Sequence, residues 1–337
     1  MTGSRPVLLI TPSFFGYERD IALALERRGL GVDMIDERPS NSALMKALLR
    51  VRSSALGRAT DRYYRRFVDQ GYTRGRRLVI VIKGEVVPAW FLDAVRRDSP
   101  GAVFVFYTFD SLANSANFVS LLPVFDHLFS FQAETGEVGS RFRLKHLFYG
   151  PEFSPLGDAD TRRYGIAFVG TVHSDRYRFV KRIVAAFGSS FVYFYVQARW
   201  YFRVRRLTSA RYREIPEKDV RFDKLSRSAV AEVFRNSLAV LDMQHEQQTG
   251  LTMRTFEVIA SGAYLVTTNA FVALTPLADT GRVIVVPPLP TEHDIRELTE
   301  RLAELPVPTS APEGFAQFSV DAWVDEFVML MPGEVPT

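Results

Sequence analysis

Arg254 and Glu257 lie three residues apart, just behind Gly250, in the run Gln248-Thr249-Gly250-Leu251-Thr252-Met253-Arg254-Thr255-Phe256-Glu257. On a helix that spacing puts the guanidinium and the carboxylate on one face. A guanidinium there can grip a diphosphate with paired donors, and a carboxylate one turn on can accept from both hydroxyls of a ribose. Gly250 lets the backbone come close to a ligand. The amides of Gly250, Leu251 and Thr252 would open the helix, where unpaired N–H groups and the positive dipole end attract phosphate. The pattern suits a nucleoside diphosphate. It equally suits a surface ion pair on an amphipathic helix, and the spacing leaves both readings open.

Further candidates stand where apolar runs end. Val103 to Tyr107 leads to Asp110, Leu78 to Ile82 leads to Lys83-Gly84-Glu85, and Val7 to Thr11 leads through Phe15 to Gly16, Tyr17 and Glu18. Asp110 is the first candidate for a general base and Glu18 the second, while Lys83 could hold an acceptor phosphate or carboxylate, or simply pair with Glu85. Tyr164 to Val169 runs into Gly170-Thr171-Val172-His173-Ser174-Asp175-Arg176. There a glycine at a strand end admits a ligand and Arg176 could meet a phosphate, with His173 either a donor or an exposed loop residue. Asp158-Ala159-Asp160 has the form of a metal-nucleotide D-x-D motif, but it lies in a proline- and glycine-bearing stretch from Gly150 to Asp160 and reads as a hinge.

The elements that must position these groups alternate. Strand, loop, helix, glycine and strand follow in order from Val7 to Asp36, and again from Ser237 through the helix before Gly262 to Tyr264-Leu265-Val266-Thr267. Continuous β-branched runs such as Leu78-Val79-Ile80-Val81-Ile82 suit strands buried on both faces of a parallel sheet. Ligands of such sheets bind outside the carboxyl ends of the strands, so Gly16 to Glu18, Lys83 to Glu85 and Asp110 are expected on one edge. Thr291 is the expected cap of a helix to Leu305, and Phe318 to Met331 reads as a terminal helix.

With 337 residues, 47% of them hydrophobic and 24% charged, the chain can fill two α/β cores and shows no compositional sign of disorder. It has no cysteine, which excludes disulfides and thiolate chemistry and fits a cytoplasmic protein. No secretory leader and no run near the ~20 apolar residues of a bilayer span is expected. The net charge is only +4, but arginines cluster at Arg50, Arg52, Arg58, Arg62, Arg65, Arg66, Arg74, Arg76 and Arg77, and at Arg199, Arg203, Arg205, Arg206, Arg211 and Arg213. Such clusters suit anionic head groups, pyrophosphate-linked acceptors or nucleic acid, or are solvated helix faces. The aromatics beside them, Trp200, Tyr201 and Phe202, form no recognisable RNA-binding motif, so no nucleic acid is expected.

Phe15-Gly16-Tyr17-Glu18, Asp36-Glu37-Arg38-Pro39, Ile82-Lys83-Gly84-Glu85, Tyr107-Thr108-Phe109-Asp110-Ser111 with Asn114, Phe125-Asp126, Phe168-Val169-Gly170 with His173 to Arg176, and the block from Gln248 to Glu257 together give the chain its likeness to a known group. It resembles bacterial glycosyltransferases of the two-Rossmann GT-B fold, in particular the spore-maturation-like group found among lipopolysaccharide and capsule assembly proteins. The resemblance implies an α/β protein of two Rossmann-like domains facing across a cleft that closes on the donor. It implies an acceptor domain over residues 1–152, a sugar-nucleotide domain over 161–312, and a terminal helix in 313–337 crossing back to the first domain. Donor-binding residues would be Gly170, Thr171, His173, Arg176, Gln248, Thr249, Gly250, Leu251, Thr252, Arg254 and Glu257, with Glu257 on the ribose. Acceptor-binding residues would be Gly16, Tyr17 and Lys83.

The resemblance further implies a nucleotide-diphosphate sugar as donor, no cofactor or obligatory metal, and a saccharide or lipid-linked acceptor. The arginine clusters, read as contacts to an anionic membrane surface, would place a cytoplasmic protein at the inner membrane face. The wider fold often has an E-x7-E pattern, whose first glutamate would fall at Thr249, so the retaining mechanism tied to that pattern is not carried over. Two rivals remain from the sequence: a sugar-nucleotide-binding protein without catalysis, and a basic nucleic-acid binder.

Overall fold

A computed structural model describes residues 5–39, 54–110, 116–134, 136–154, 162–172, 175–243 and 250–333. Contacts divide the chain into two compact units, 1–147 with 318–337, and 148–317. The Asp158 to Asp160 motif, His173, Gln248 and Thr249 lie outside the described residues.

The first unit is a six-stranded parallel sheet of β1 (Val7–Thr11), β2 (Val32–Asp36), β3 (Leu78–Ile82), β4 (Val103–Thr108), β5 (His127–Ser130) and β6 (Arg143–Leu144). Helices α1 (Tyr17–Arg27), α2 (Ser54–Asp69) and α3 (Ala89–Asp98) belong to it. The order is β2-β1-β3-β4-β5-β6. Every residue of β1 and β3 is buried, as the unbroken apolar runs require of strands covered on both faces. Strand order reverses between β1 and β3, so the crevice that open α/β sheets use for ligands lies at their carboxyl ends.

The second unit builds its own parallel sheet from β7 (Tyr164–Thr171), β8 (Ser190–Tyr195), β9 (Val220–Arg221), β10 (Ser237–Asp242), β11 (Tyr264–Thr267) and β12 (Val283–Val285). Its helices are α4 (Arg176–Val184), α5 (Arg199–Thr208), α6 (Arg227–Arg235), α7 (Met253–Ala260) and α8 (Glu292–Glu304). Here the order is β12-β11-β10-β7-β8-β9, with the reversal between β7 and β10. That is the doubly wound dinucleotide-binding order. Thr291 caps α8 as expected, in a reciprocal box in which its hydroxyl accepts from Asp294 N at 3.2 Å and Asp294 accepts from Thr291 N at 2.6 Å. Residues 151–153 pack within this unit, where Phe153 meets Phe234 at 5.9 Å and Glu152 pairs with Arg227 at 2.8 Å.

The last helix, α9 (Val320–Val328), returns to the first unit. It starts two residues later than expected because Ser319 caps it, accepting from Ala322 N at 3.2 Å. Trp323 lies edge-on to Tyr107 at 4.9 Å and Phe327 packs on Phe129 at 5.2 Å, while Arg27 and Arg28 of α1 clamp Asp321 at 2.9 and 2.8 Å. One arginine counted in the first basic cluster is not on the surface at all. Arg76 is buried, pairs with Asp33 at 2.7 Å and donates to the carbonyls of Tyr72 and Arg5, because its position just before β3 brings it under β2. Among the described residues no helix is long and apolar enough to cross a membrane.

Candidate functional site

At the carboxyl edge of the second sheet, the reversal between β7 and β10 gathers most of the described donor candidates. Arg176, the first residue of α4, donates from Nη1 to Thr171 O at 3.1 Å and from Nη2 to Met243 O at 2.7 Å, so it bridges the ends of β7 and β10. Arg254, in the first turn of α7, donates to Val169 O and lies over the rings of Phe168 and Phe234, 5.9 Å from each centroid. Burial and, after it, the neighbouring charge of Arg254 pull the Arg176 guanidinium down, Asp242 opposes them, and its pKa comes to rest at about 10. Two cations whose charges disfavour each other are thus held against backbone carbonyls, an arrangement an anion would relieve.

Gly170 lies beside this pairing. A Cβ there would stand 2.8 Å from the Phe168 ring, too close unless the ring moved, while Arg254 Nη1 at 3.5 Å would be in ordinary contact. The glycine lets the end of β7 pass tightly against Phe168 next to the guanidinium. Leu251 is buried in the core and Gly250 is buried beside it, leaving backbone as what these two present. Thr252 is the N-cap of α7, with its hydroxyl donating to Asp242 Oδ2 at 3.1 Å rather than capping the helix. At the opening of α7 the Thr255 amide donates to Thr252 O at 3.1 Å, and a helix start of this kind turns its first amides and positive dipole end outward. Glu257 is only 6% exposed, so the surface ion pair left open by the spacing does not describe it.

Asp242 went unassigned in the sequence. A single acid closing the apolar run Ser237 to Leu241 was its one signal, and in the fold it ties the cap residue Thr252 and faces Arg176.

The carboxyl edge of the first sheet is different. Lys83 Nζ reaches Asp110 Oδ2 at 2.6 Å and Glu85 Oε1 at 3.3 Å, so the expected Lys83–Glu85 pair exists and a closer one joins it. Burial pulls the Lys83 ammonium down, but Asp110 and Glu85 more than offset this and its pKa ends above the ordinary value. Arg38 meets Glu85 at 3.1 Å and Glu37 at 3.6 Å, and Glu37 Oε2 accepts from Glu85 N at 3.1 Å. Glu37 is fully buried, and burial pushes its carboxyl up to about 8 despite Arg38 nearby. Glu18 Oε2 accepts from Phe14 N at 3.0 Å, bracing the turn whose Gly16, at φ 91°, starts α1 with Tyr17.

Among the described residues, Phe15 at φ 56° and Lys83 at φ 77° have left-handed backbone without being glycine. One lies in the turn after β1 and the other directly follows β3, the two strands that flank the reversal. Strain of this kind, roughly 1 kcal/mol or more per residue, persists where surroundings hold it and concentrates at ligand sites. Phe14 stacks on Phe109 at 5.4 Å and 22°, with Phe15 edge-on to it at 4.7 Å, and Phe14 and Phe15 are 41% and 52% exposed. This exposed aromatic shelf lies one residue from Asp110. Glu37 and Arg38 stand in the sequence only as part of a motif, without a role, since their burial and ion pairs come from the fold. Among the described residues no cluster of three or more His, Cys, Asp or Glu side chains is placed to hold a metal ion.

Solved structures align over nearly the whole chain. The apo structure of OtsA matches with a TM-score of 0.62 at 12% identity, covering 98% of this chain and 100% of that one. The fold is GT-B. Sucrose-phosphate synthase from Thermosynechococcus elongatus aligns with a TM-score of 0.58 at 14% identity over 97% of this chain and 98% of its own. HepE from Anabaena, solved in complex with UDP and glucose, gives 0.58 at 11% identity over 96% and 98%. No protein-family model and no curated sequence matches the chain. The likeness to these GT-B proteins is therefore one of fold, and the two carboxyl edges have to carry any functional argument.

Proposed function

We propose that the chain is a glycosyltransferase that moves a sugar from a nucleoside-diphosphate donor to a saccharide or lipid-linked acceptor in bacterial surface polysaccharide synthesis, akin to the spore-maturation-like group. The observation that carries this reading is the pairing of Arg176 and Arg254 at the β7/β10 reversal, beside the tip of α7. The diphosphate lies against that tip, where helix amides and two guanidiniums offset the charge that builds on the leaving nucleotide. Charge neutralisation by arginine makes a divalent ion dispensable. Glu257, one turn along α7, accepts from the ribose hydroxyls.

In the first unit the Phe14–Phe109 shelf takes the apolar face of an acceptor sugar, and Asp110 receives the proton of the attacking hydroxyl. Lys83 orients Asp110 through their ion pair, and when the proton arrives the ammonium retains Glu85 as its counter-ion. Glu18 is the reserve base, at the cost of the Phe14 N–H bond it now accepts.

Sugar-nucleotide epimerases also have this fold, as does any binding protein derived from it that has lost turnover. Thermal shift against UDP, GDP, CMP, dTDP and their sugars tests the donor half, since a ligand at about 100 Kd adds about 2.7 kcal/mol. No stabilisation by any of them would reject the cradle. Mass spectrometry of the stabilising donor, with and without candidate acceptors, then separates transfer from epimerisation and from binding alone.

A further inference from the structure

Helix α5 is held to its unit by one fully buried side chain, Phe202, which packs near Tyr212 at 6.2 Å and Phe222 at 6.1 Å. At about 100° per residue, Trp200, Val204 and Leu207 fall within an arc of about 60° on the opposite side of the helix. They are 67%, 48% and 82% exposed, an uncovered apolar ridge pointing away from the core. Residues 199–213 contain six arginines and no acid. Arg199 and Arg203 flank the ridge with side chains 60% and 65% exposed, both near Glu217, while Arg205 and Arg206 lie over Tyr212 and Phe202 at 5.1 and 5.8 Å. Charge alone would describe a solvated face; the ridge does not.

We infer that α5 docks the protein on an anionic lipid surface, the Trp200–Val204–Leu207 ridge entering the head-group boundary while the arginines meet lipid phosphates. A tryptophan and two aliphatics on one face, flanked by arginine, are what an interfacial helix needs, because apolar burial and charge attraction then add. Self-association across the same ridge would bring two stretches of six arginines together, which like-charge repulsion opposes. Helix α2 makes a useful contrast. Its Arg58, Arg62, Arg65 and Arg66 are exposed, but its apolar residues Tyr63, Tyr64 and Phe67 pack into the core, so it offers charge without an insertable face. The inference stands apart from the sugar-transfer reading and survives its failure.

The test is flotation of the full chain with vesicles of phosphatidylcholine alone or with about a third phosphatidylglycerol. Binding to the anionic vesicles is expected, falling at least about tenfold in Trp200→Ser/Leu207→Ser, with quenching of tryptophan fluorescence by brominated lipid lost in Trp200→Phe. An unchanged melting temperature shows that the double variant is folded. Absence of flotation at low salt, binding undiminished by the double variant, or a dimer in light scattering that the double variant dissolves would each overturn the proposal. Loss of binding in Arg58→Ser/Arg62→Ser/Arg65→Ser/Arg66→Ser alone would overturn it as well, by moving the contact to α2.

Discussion

Two carboxyl edges of similar topology have been given opposite electrostatics. Where β7 and β10 part, the charges of Arg176 and Arg254 oppose each other and both guanidiniums rest on backbone carbonyls, with Asp242 near Arg176. Where β1 and β3 part, Lys83 and Arg38 are threaded among Asp110, Glu85 and Glu37, and each cation is ion-paired to acids. An edge where guanidiniums rest on carbonyls and oppose each other suits an anion from outside. An edge with balanced charge and a buried carboxyl has no such demand, and its exchangeable quantity is the proton. On the function proposed above, equivalent positions in the two sheets divide the work of holding a leaving group and handling an acceptor, and this division is open to disproof from either side.

The largest effect is expected at the balanced edge. Asp110→Asn keeps the shape of the Lys83 contact but cannot take a proton, so kcat for transfer should fall by about 10²–10⁴ while donor Kd stays within a factor of about two. A parallel loss in donor binding would mean that this edge also handles the nucleotide, and the contrast would collapse. At the cationic edge, Arg254→Ala removes a charge and a guanidinium fork together. Isothermal titration should show nucleoside-diphosphate affinity lowered about 100-fold, and Arg254→Lys should recover only part of it because an ammonium cannot pair two oxygens in one plane. Affinity unchanged in Arg254→Ala would leave Arg254 as a strut to Val169 and nothing more.

How far this division was legible before the fold depends on what each group signals. Arg254 and Glu257 announce a helix face through their spacing, and Lys83, Asp110 and Glu18 announce themselves by closing apolar runs. The two-sheet architecture followed from those runs, as did the cap at Thr291. Strand order did not, because β6 and β9 are two residues long and carry no periodicity, and without order the reversal points cannot be placed. Nor could the packing reason for Gly170, which depends on how the Phe168 ring turns back over the strand, nor the uncovered ridge of α5, which looks in sequence like any arginine-rich amphipathic stretch.

A subtler test concerns Glu37. Its folded-state pKa of about 8 lies above the ordinary 4.5, so its contribution to stability is full below the ordinary value and is lost as pH rises toward 8. Glu37→Gln retains an acceptor for Glu85 N and does not titrate. Urea denaturation at about pH 6 and about pH 7.5 should therefore show the variant gaining about 2 kcal/mol on the parent across that interval. Parallel curves would mean that Glu37 is already ionised in the fold and that the balanced edge carries one more negative charge than its geometry suggests.

The smallest effect separates the two parts of the ligand at the cationic edge. Glu257 lies three residues past Arg254 on the same helix and is buried, so a contact to ribose hydroxyls would be made in a site largely shielded from water. Glu257→Gln keeps the shape but replaces charge-assisted acceptance with a neutral amide, which should weaken UDP or its base analogue by about tenfold. Inorganic pyrophosphate has no ribose, so its inhibition constant against the same donor should not move. If both ligands weaken together, Glu257 acts by positioning Arg254, and the cradle reads phosphate alone. If only the nucleotide weakens, two residues three apart on one helix read the two halves of a nucleoside diphosphate, which is the chemistry that the opposite edge, with its charges already matched, has no means to perform.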